Sequence, residues 1–127
     1  MRLLNEKRRE AGLNEVVIDE QLSQAATKRA SEMSEYFYVT DASFAVDAHK
    51  RPDGSRYDTI KAEFGIQGLM AENAAFSATN ATQLFNAWWN SEGHRQNMMT
   101  ANYTRIGVAD VQVGEEGYTL GYMLLVE

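Results

Sequence analysis

The sequence lacks cysteine and has a single proline among its 127 residues. Without cysteine there is no disulfide, no thiolate metal ligand and no cysteine nucleophile. The apolar runs are far shorter than the roughly 20 residues of a membrane-spanning helix, so we expect no membrane span. Positive charge is also scarce: 12 basic residues face 18 acidic ones, giving a net charge of -6. This balance argues against nucleic acid and anionic membranes as partners.

The composition that remains is that of one globular domain. Hydrophobic residues make up 44% of the chain and charged residues 24%, both ordinary values for a folded protein. A chain of this length buries enough surface to fold without disulfides. Because no linker, repeat or low-complexity stretch interrupts it, we predict a single domain over residues 1–127.

Capping and stop residues divide the first part of the chain into predicted helices. A first helix ends at Gly12, and a short extended piece covers residues 16–18. Asp19 is a good N-cap for a second helix, whose apolar positions recur at helical spacing up to Phe37.

Two further helices are predicted before the pattern changes. One begins at Tyr57 and is closed by Gly65. The other is capped by Thr79 or Asn80 and is expected to end at Gly93.

The last third of the chain predicts two strands. Residues 105–113 and 118–126 are rich in β-branched and aromatic side chains, and residues 114–117 (GEEG) suit a hairpin turn. Apolar residues on these strands point both ways, so the sheet must be covered on both faces. Helices first and strands last predict an α+β fold, a three-layer α-β-α sandwich with a central antiparallel sheet.

Three side chains carry the clearest chemical possibilities. The two histidines, His49 and His94, fall beside predicted turns, and His94 follows the helix stop expected at Gly93. Glu72 lies in an otherwise apolar stretch, where burial costs several kcal/mol unless the carboxylate is paired. Two imidazoles and a carboxylate suit zinc, and they equally suit general acid–base chemistry near neutral pH. Their spacing leaves open a simpler alternative, two surface histidines and a salt-bridged glutamate.

Five segments, in order, resemble motifs of the CAP superfamily, also called the SCP domain. This superfamily includes cysteine-rich secretory proteins, insect venom antigens and plant pathogenesis-related proteins. The segments are NEKRR with GL at residues 5–9 and 12–13, HKRPDGS at 49–55, AENA at 71–74, WWNSEGHRQNM at 88–98 and YTRIGV at 103–108. The form of the fourth segment and the absence of cysteine are similar to bacterial members.

The resemblance implies that His49, Glu72 and His94 meet in one cleft. In many members two histidines and two glutamates line this cleft and can hold a divalent metal. Here the position of the second glutamate corresponds to Ser91, with Glu92 one residue further on. A metal held by His49, His94 and Glu72 would most suitably be zinc, because calcium prefers six or more oxygen ligands.

The resemblance also implies a function and a location. We expect an extracellular or cell-wall-associated domain, its export signal removed from this sequence, that binds a lipid, glycan or peptide ligand in the cleft. The alternative is a zinc-dependent hydrolase in which His49 and His94 hold the metal and Glu72 is base or third ligand. A third reading is an interaction domain with a vestigial cleft. The sequence leaves open whether the protein is an enzyme.

Overall fold

A computed structural model describes residues 2–36, 47–78, 80–113 and 118–127 of the chain. These residues contain five α-helices and four strands. The helices are α1 (Arg2–Glu10), α2 (Glu20–Tyr36), α3 (Ile60–Phe64, preceded by a 3-10 turn at Tyr57–Thr59), α4 (Ala81–Trp89) and α5 (Glu92–Met98). The strands are β1 (Val17–Ile18), β2 (Met70–Ala78), β3 (Arg105–Val113) and β4 (Tyr118–Val126). Phe37, Thr79 and the predicted turn at 114–117 lie outside the described residues.

The strands form one sheet in the order β1-β3-β4-β2. β4 lies in the middle and pairs antiparallel with β3 on one side and with β2 on the other. The predicted antiparallel pairing of residues 105–113 with 118–126 is therefore confirmed. β1 adds a parallel pair of two residues to the outer side of β3.

Helices cover both faces of the sheet. One face packs against α2 and α3, and its buried residues include Leu22, Ala25, Ala26, Ile60, Met70, Leu120, Tyr122, Leu124 and Val126. The other face packs against α1, α4 and α5, and its buried residues include Leu4, Leu84, Trp88, Met98, Ile106, Met123 and Leu125. Successive residues of β4 thus point to different helical layers, as the pleat of a strand requires. The predicted α-β-α sandwich is confirmed.

Local signals place most of the helix ends where the sequence predicts them. The Asp19 carboxylate accepts a hydrogen bond from the backbone N–H of Leu22 at 2.9 Å. The Asn80 side chain caps α4 by accepting from Gln83 N at 2.9 Å. Gly65 closes α3 with a left-handed φ of 65°. Each of these caps satisfies a backbone group that the helix itself leaves without a partner.

The predicted helix stop at Gly93 is wrong. α4 already ends at Trp89, and Gly93 lies inside α5, which begins at Glu92. The break comes instead at Asn90 and Ser91, where Ser91 takes an extended conformation. The sequence around a glycine does not show whether the glycine lies inside a helix or ends it. Only the backbone conformation distinguishes the two cases.

Two features of the sheet depend on contacts far along the chain. β2 is a strand although its sequence, MAENAAFSA, is rich in alanine, because β4 supplies its hydrogen bonds. Gly107 of β3 lets α2 approach closely, since a Cβ atom there would lie 2.2 to 2.5 Å from backbone atoms of Leu22 and Ser23.

No helix in the described part of the chain is long and apolar enough to cross a membrane.

Candidate functional site

The carboxylate of Glu72 forms a buried ion pair with Arg29. Glu72 lies on β2 and Arg29 on α2, which covers that face of the sheet. Arg29 Nε donates to Oε2 at 2.7 Å and Nη2 donates to Oε1 at 3.0 Å, in the two-pronged geometry that guanidinium and carboxylate groups favour. Both side chains are 0% exposed. The partner that the sequence analysis required for a buried Glu72 is therefore an arginine together with an imidazole.

That imidazole belongs to His49. Its Nδ1 lies 2.9 Å from Oε1 of Glu72. An ionised carboxylate only accepts hydrogen bonds, so Nδ1 carries the proton and Nε2 is left without one in the neutral ring. The side chain is 47% exposed, and the ring of Tyr57 meets it edge-on at a centroid distance of 5.9 Å. His49 thus has one nitrogen held by the protein, while nearly half of its side chain is exposed.

A short hairpin carries His49. Its two ends are joined by the hydrogen bond from Tyr57 N to His49 O at 3.0 Å. Arg51 N donates to Ser55 O at 2.9 Å, and the Asp53 side chain accepts from Ser55 N at 2.9 Å. The turn predicted beside His49 is therefore confirmed at residues 52–55, and it gives the His49 backbone a fixed course.

Two side chains of α2 fasten this hairpin to the helix. Arg29 donates to the carbonyl oxygens on either side of His49, Ala48 O at 2.9 Å and Lys50 O at 3.1 Å. Glu32, one turn further along, accepts from Arg51 Nη2 at 2.7 Å. That hydrogen bond is the main cause of the raised pKa of Arg51. Burial lowers the pKa of Arg29, but its bonds to carboxylates outweigh burial and raise it overall.

His94 lies on the other side of β2, in α5. The fully buried Asn73 donates from Nδ2 to the backbone oxygen of His94 at 3.1 Å and accepts from Asn97 Nδ2 at 2.9 Å. The expectation that His94 leaves a helix at an exposed turn is wrong, because the residue is helical and half-buried. The error follows from the misplaced helix end at Gly93.

The surroundings of the His94 ring favour its neutral form. Burial, and after it the charge of His49, lowers the pKa of His94. Its Nδ1 is buried and finds no hydrogen-bond partner within the described residues. The two histidines therefore influence each other electrostatically, although no contact joins their rings.

The remaining predicted site residues sit where α5 begins. Ser91 is half-buried and precedes the helix, and its side chain makes no capping hydrogen bond. Glu92 is exposed in the first turn. In the described structure neither side chain is hydrogen-bonded to His49, Glu72 or His94, so their place in the cleft stays a prediction.

The predicted metal ligands fit a metal only in part. Across residues 2–36, 47–78, 80–113 and 118–127, no group of three or more His, Asp or Glu side chains is arranged to hold an ion. The Glu72 carboxylate is fully buried and both of its oxygens are bonded to Arg29, so an ion could reach it only by displacing that pair. The two imidazoles are the donors that remain available. The ligand set of His49, His94 and Glu72 stays a prediction.

Two cavities lie away from these residues. One of about 520 Å³ is lined by charged side chains that include Glu32, Glu35 and Arg51. The other, of about 230 Å³, is an apolar groove between α1 and α4 that includes Phe85 and Trp88. Neither cavity is lined by His49, Glu72 or His94.

Arg29 and Asn73 are the site residues that the sequence analysis missed. Arg29 falls on the apolar stripe of α2, between Ala26 and Met33 at helical spacing. A charged residue on a buried stripe needs a buried partner, and this signal could have linked it to Glu72. Asn73 had a weaker signal, its place beside Glu72 in an apolar stretch.

The fold and the ordered motifs define a CAP domain. The family model described as the cysteine-rich secretory protein family matches residues 1–126. The chain belongs to this family, which confirms the resemblance found in the sequence.

A bacterial protein is among the relatives. The protein YkwD of Bacillus subtilis (strain 168) is 37% identical over 114 residues, which make up 88% of this chain and 41% of YkwD. The chain thus spans about two fifths of the length of that relative. This match agrees with the bacterial branch expected from the motif at residues 88–98.

Solved structures share the fold. An extracellular protein of Bacillus anthracis that contains an SCP domain has a TM-score of 0.79 at 21% identity, covering 98% of this chain and 38% of that one. An outer surface protein of Borrelia burgdorferi has a TM-score of 0.77 at 19% identity, covering 99% and 87%. A cysteine-rich secretory protein of Staphylococcus aureus has a TM-score of 0.70 at 21% identity, covering 99% and 37%.

Proposed function

We propose that this domain is an extracellular binding module whose cleft, between His49 and His94, takes a divalent cation and a lipid, glycan or peptide ligand. The observation that carries the proposal is the state of the two imidazoles. Glu72 holds Nδ1 of His49, and Nδ1 of His94 is buried. In each ring Nε2 is therefore the nitrogen that remains as a candidate metal ligand.

The donor set suits zinc with few protein ligands. Neutral imidazole nitrogens are good zinc ligands, and a carboxylate that holds the other ring nitrogen is a common partner behind such a histidine. Glu72 takes that supporting role here, so we assign the direct contacts to His49 and His94. Two protein ligands leave positions for water or for ligand oxygens, and they hold the ion less tightly than three would.

The descriptions of matched structures support the proposed extracellular location. The matched structures include an extracellular protein and an outer surface protein of bacteria. An extracellular domain meets lipids, cell-wall glycans and peptides, which are the ligand classes that we propose.

Calorimetric titration with zinc tests the metal site. We expect heat of binding with the wild type and its loss in His49→Ala and in His94→Ala. Asn5→Ala is the matched control, because Asn5 makes paired hydrogen bonds to the backbone of Val16 outside the cleft. Equal zinc affinity in the wild type and in both histidine variants would rule out the assignment.

A binding screen tests the ligand classes. Lipid vesicles, cell-wall glycan fragments and peptides are presented to the wild type with and without zinc, and to the His49→Ala/His94→Ala double variant. Binding that the double variant loses supports the cleft. A screen in which no class binds under either condition contradicts the binding module.

The hydrolase alternative has less support. A bound zinc ion would supply an activated water, but the reaction also needs a base. Arg29 and His49 both donate to the Glu72 carboxylate, so both of its oxygens are occupied. Peptide hydrolysis by the purified wild type that disappears in both histidine variants would favour this alternative.

A further inference from the structure

Arg29 contacts the Glu72 carboxylate and the backbone on both sides of His49. Its guanidinium has five N–H donors, and all five have acceptors. Two bonds go to the Glu72 carboxylate, two go to the carbonyl oxygens of Ala48 and Lys50, and one goes to Glu32. The backbone on both sides of His49 and the carboxylate that holds its ring are thus tied to one side chain.

The ring of Tyr122 supports the same guanidinium. Arg29 Cζ lies 5.0 Å from the centre of that ring, a cation–π distance. The Tyr122 hydroxyl donates to Ala48 O at 2.5 Å, so this carbonyl accepts from both side chains. Both Arg29 and Tyr122 are 0% exposed. Buried and bonded at every donor, the guanidinium has little freedom to move.

We infer that Arg29 is a positioning residue that sets both the orientation and the tautomer of His49. By pairing with Glu72 it keeps an ionised acceptor opposite Nδ1, which selects the Nδ1–H form of the neutral ring. By binding Ala48 O and Lys50 O it aims Nε2 outward with a free lone pair. As a role for the cleft this inference rests on the proposed function, but the tautomer is measurable without any ligand.

Nitrogen-15 NMR of the imidazole tests the inference directly. At about pH 8, where an ordinary imidazole is neutral, wild-type His49 should show the Nδ1–H tautomer. Arg29→Lys keeps a positive charge near Glu72 but lacks the planar fork of donors. We expect its His49 signals to move toward the Nε2–H tautomer. An Nε2–H tautomer in the wild type, or unchanged His49 signals in a folded Arg29→Lys, would overturn the inference.

Arg8→Lys is the matched control. Arg8 is also 0% exposed, and it donates to backbone oxygens that include Asn14 O and Met98 O, away from His49. The same substitution there perturbs a buried arginine without touching Glu72. The tautomer of His49 should stay as in the wild type. An equal shift in Arg8→Lys would mean that general loosening, and not Arg29, controls the ring.

Zinc titration of the same variants separates the inference from the proposed function. If His49 binds zinc, Arg29→Lys should weaken the affinity by about 10- to 100-fold, as for other residues that orient a metal ligand. A tautomer shift without zinc binding to any of the proteins supports the positioning role and contradicts the metal site. Unchanged zinc affinity together with an unchanged tautomer contradicts the positioning role alone.

A measurement on the wild type keeps the test decisive if Arg29→Lys does not fold. A guanidinium with all five donors bonded should show slow exchange of its Nε proton and separate signals for its two terminal nitrogens. Averaged, fast-exchanging Arg29 signals would overturn the inference.

Discussion

Glu72 and Asn73 are neighbours on β2 whose side chains leave opposite faces of the sheet and hold the two histidines. Glu72 bonds to the ring of His49, and Asn73 bonds to the backbone of His94. Their partners across β4, Leu124 and Met123, belong to different helical layers. One strand therefore contacts both histidines, from two adjacent residues that point to opposite faces of the sheet.

Removing the Asn73 side chain should disturb His94 more than His49. Asn73→Ala leaves the backbone oxygen of His94 and the amide of Asn97 without their bonds, which should lower the free energy of unfolding by about 2 kcal/mol. Urea denaturation measures the loss, and NMR shifts of the two rings locate it. Asn97→Ala is the control, since it spares the bond to His94. A larger shift at His49 than at His94 in Asn73→Ala would contradict the division of roles.

Neutralising Glu72 should be costly for stability. Glu72→Gln breaks a buried ion pair and leaves the charge of Arg29 poorly compensated, so we expect a loss of about 3 kcal/mol. Glu6→Gln provides the comparison, because the Arg2–Glu6 pair is exposed and should contribute less than about 1 kcal/mol. Denaturation curves of both variants check the difference, and equal losses would contradict a buried role for Glu72.

Stability should fall on acidification because of His94. Its pKa in the folded protein lies below the ordinary value of 6.5, so the unfolded chain binds more protons between these two values. The contribution of neutral His94 is complete above pH 6.5 and is lost as the pH falls toward the folded pKa. Urea denaturation at several pH values should give a smaller acid loss in His94→Gln than in the wild type. An equal or larger loss in the variant would contradict the lowered pKa.

Alanine at Gly93 should stabilise the protein. Gly93 is helical, and a Cβ atom there meets nothing within 4 Å. The gain should be roughly 0.5 to 1 kcal/mol, the difference in helix propensity between the two residues. Gly65→Ala should instead destabilise the protein, because φ at Gly65 is +65°, which alanine rarely adopts. Thermal unfolding of both variants measures the two effects. Destabilisation by Gly93→Ala would contradict a helical Gly93 and favour the helix stop expected from the sequence.

Alanine at Gly107 should be far more damaging than alanine at Gly121. At Gly107 the new Cβ would overlap the backbone of Leu22, which cannot move without displacing α2. At Gly121 it would meet the Leu84 side chain at 2.7 Å, which can rotate away. We expect a loss of at least about 3 kcal/mol for the first and about 1 to 2 kcal/mol for the second. Equal losses would mean that α2 is not in close contact with β3.

Local chemistry accounts for the parts of the fold that the sequence predicts well. Asp19, Asn80 and Gly65 act within four residues of themselves, so their roles are visible without knowing the fold. The pairing of residues 105–113 with 118–126 is similarly close along the chain. β2 is different, because its alanine-rich sequence has low strand propensity and becomes a strand only beside β4.

The sequence predicts which residue types the candidate site contains, but it does not predict which side chains contact each other. The need of Glu72 for a partner follows from its apolar surroundings, and His49 is such a partner. Arg29 is 43 residues away from Glu72 along the chain, and an arginine on a helix reads first as a surface charge. Its bonds to Ala48 O and Lys50 O depend on how the hairpin packs against α2, which the residues of the turn do not specify.

The central place of β4 means that the sheet cannot assemble without the last described strand of the domain. β2 and β3 both pair with β4, and residues 119–126 are buried throughout. Without residues 118–126, β2 lacks the strand with which it pairs. The apolar face of α2 then lacks the β4 side chains against which it packs. A chain without residues 118–126 would therefore leave apolar helical faces uncovered, and such faces favour aggregation.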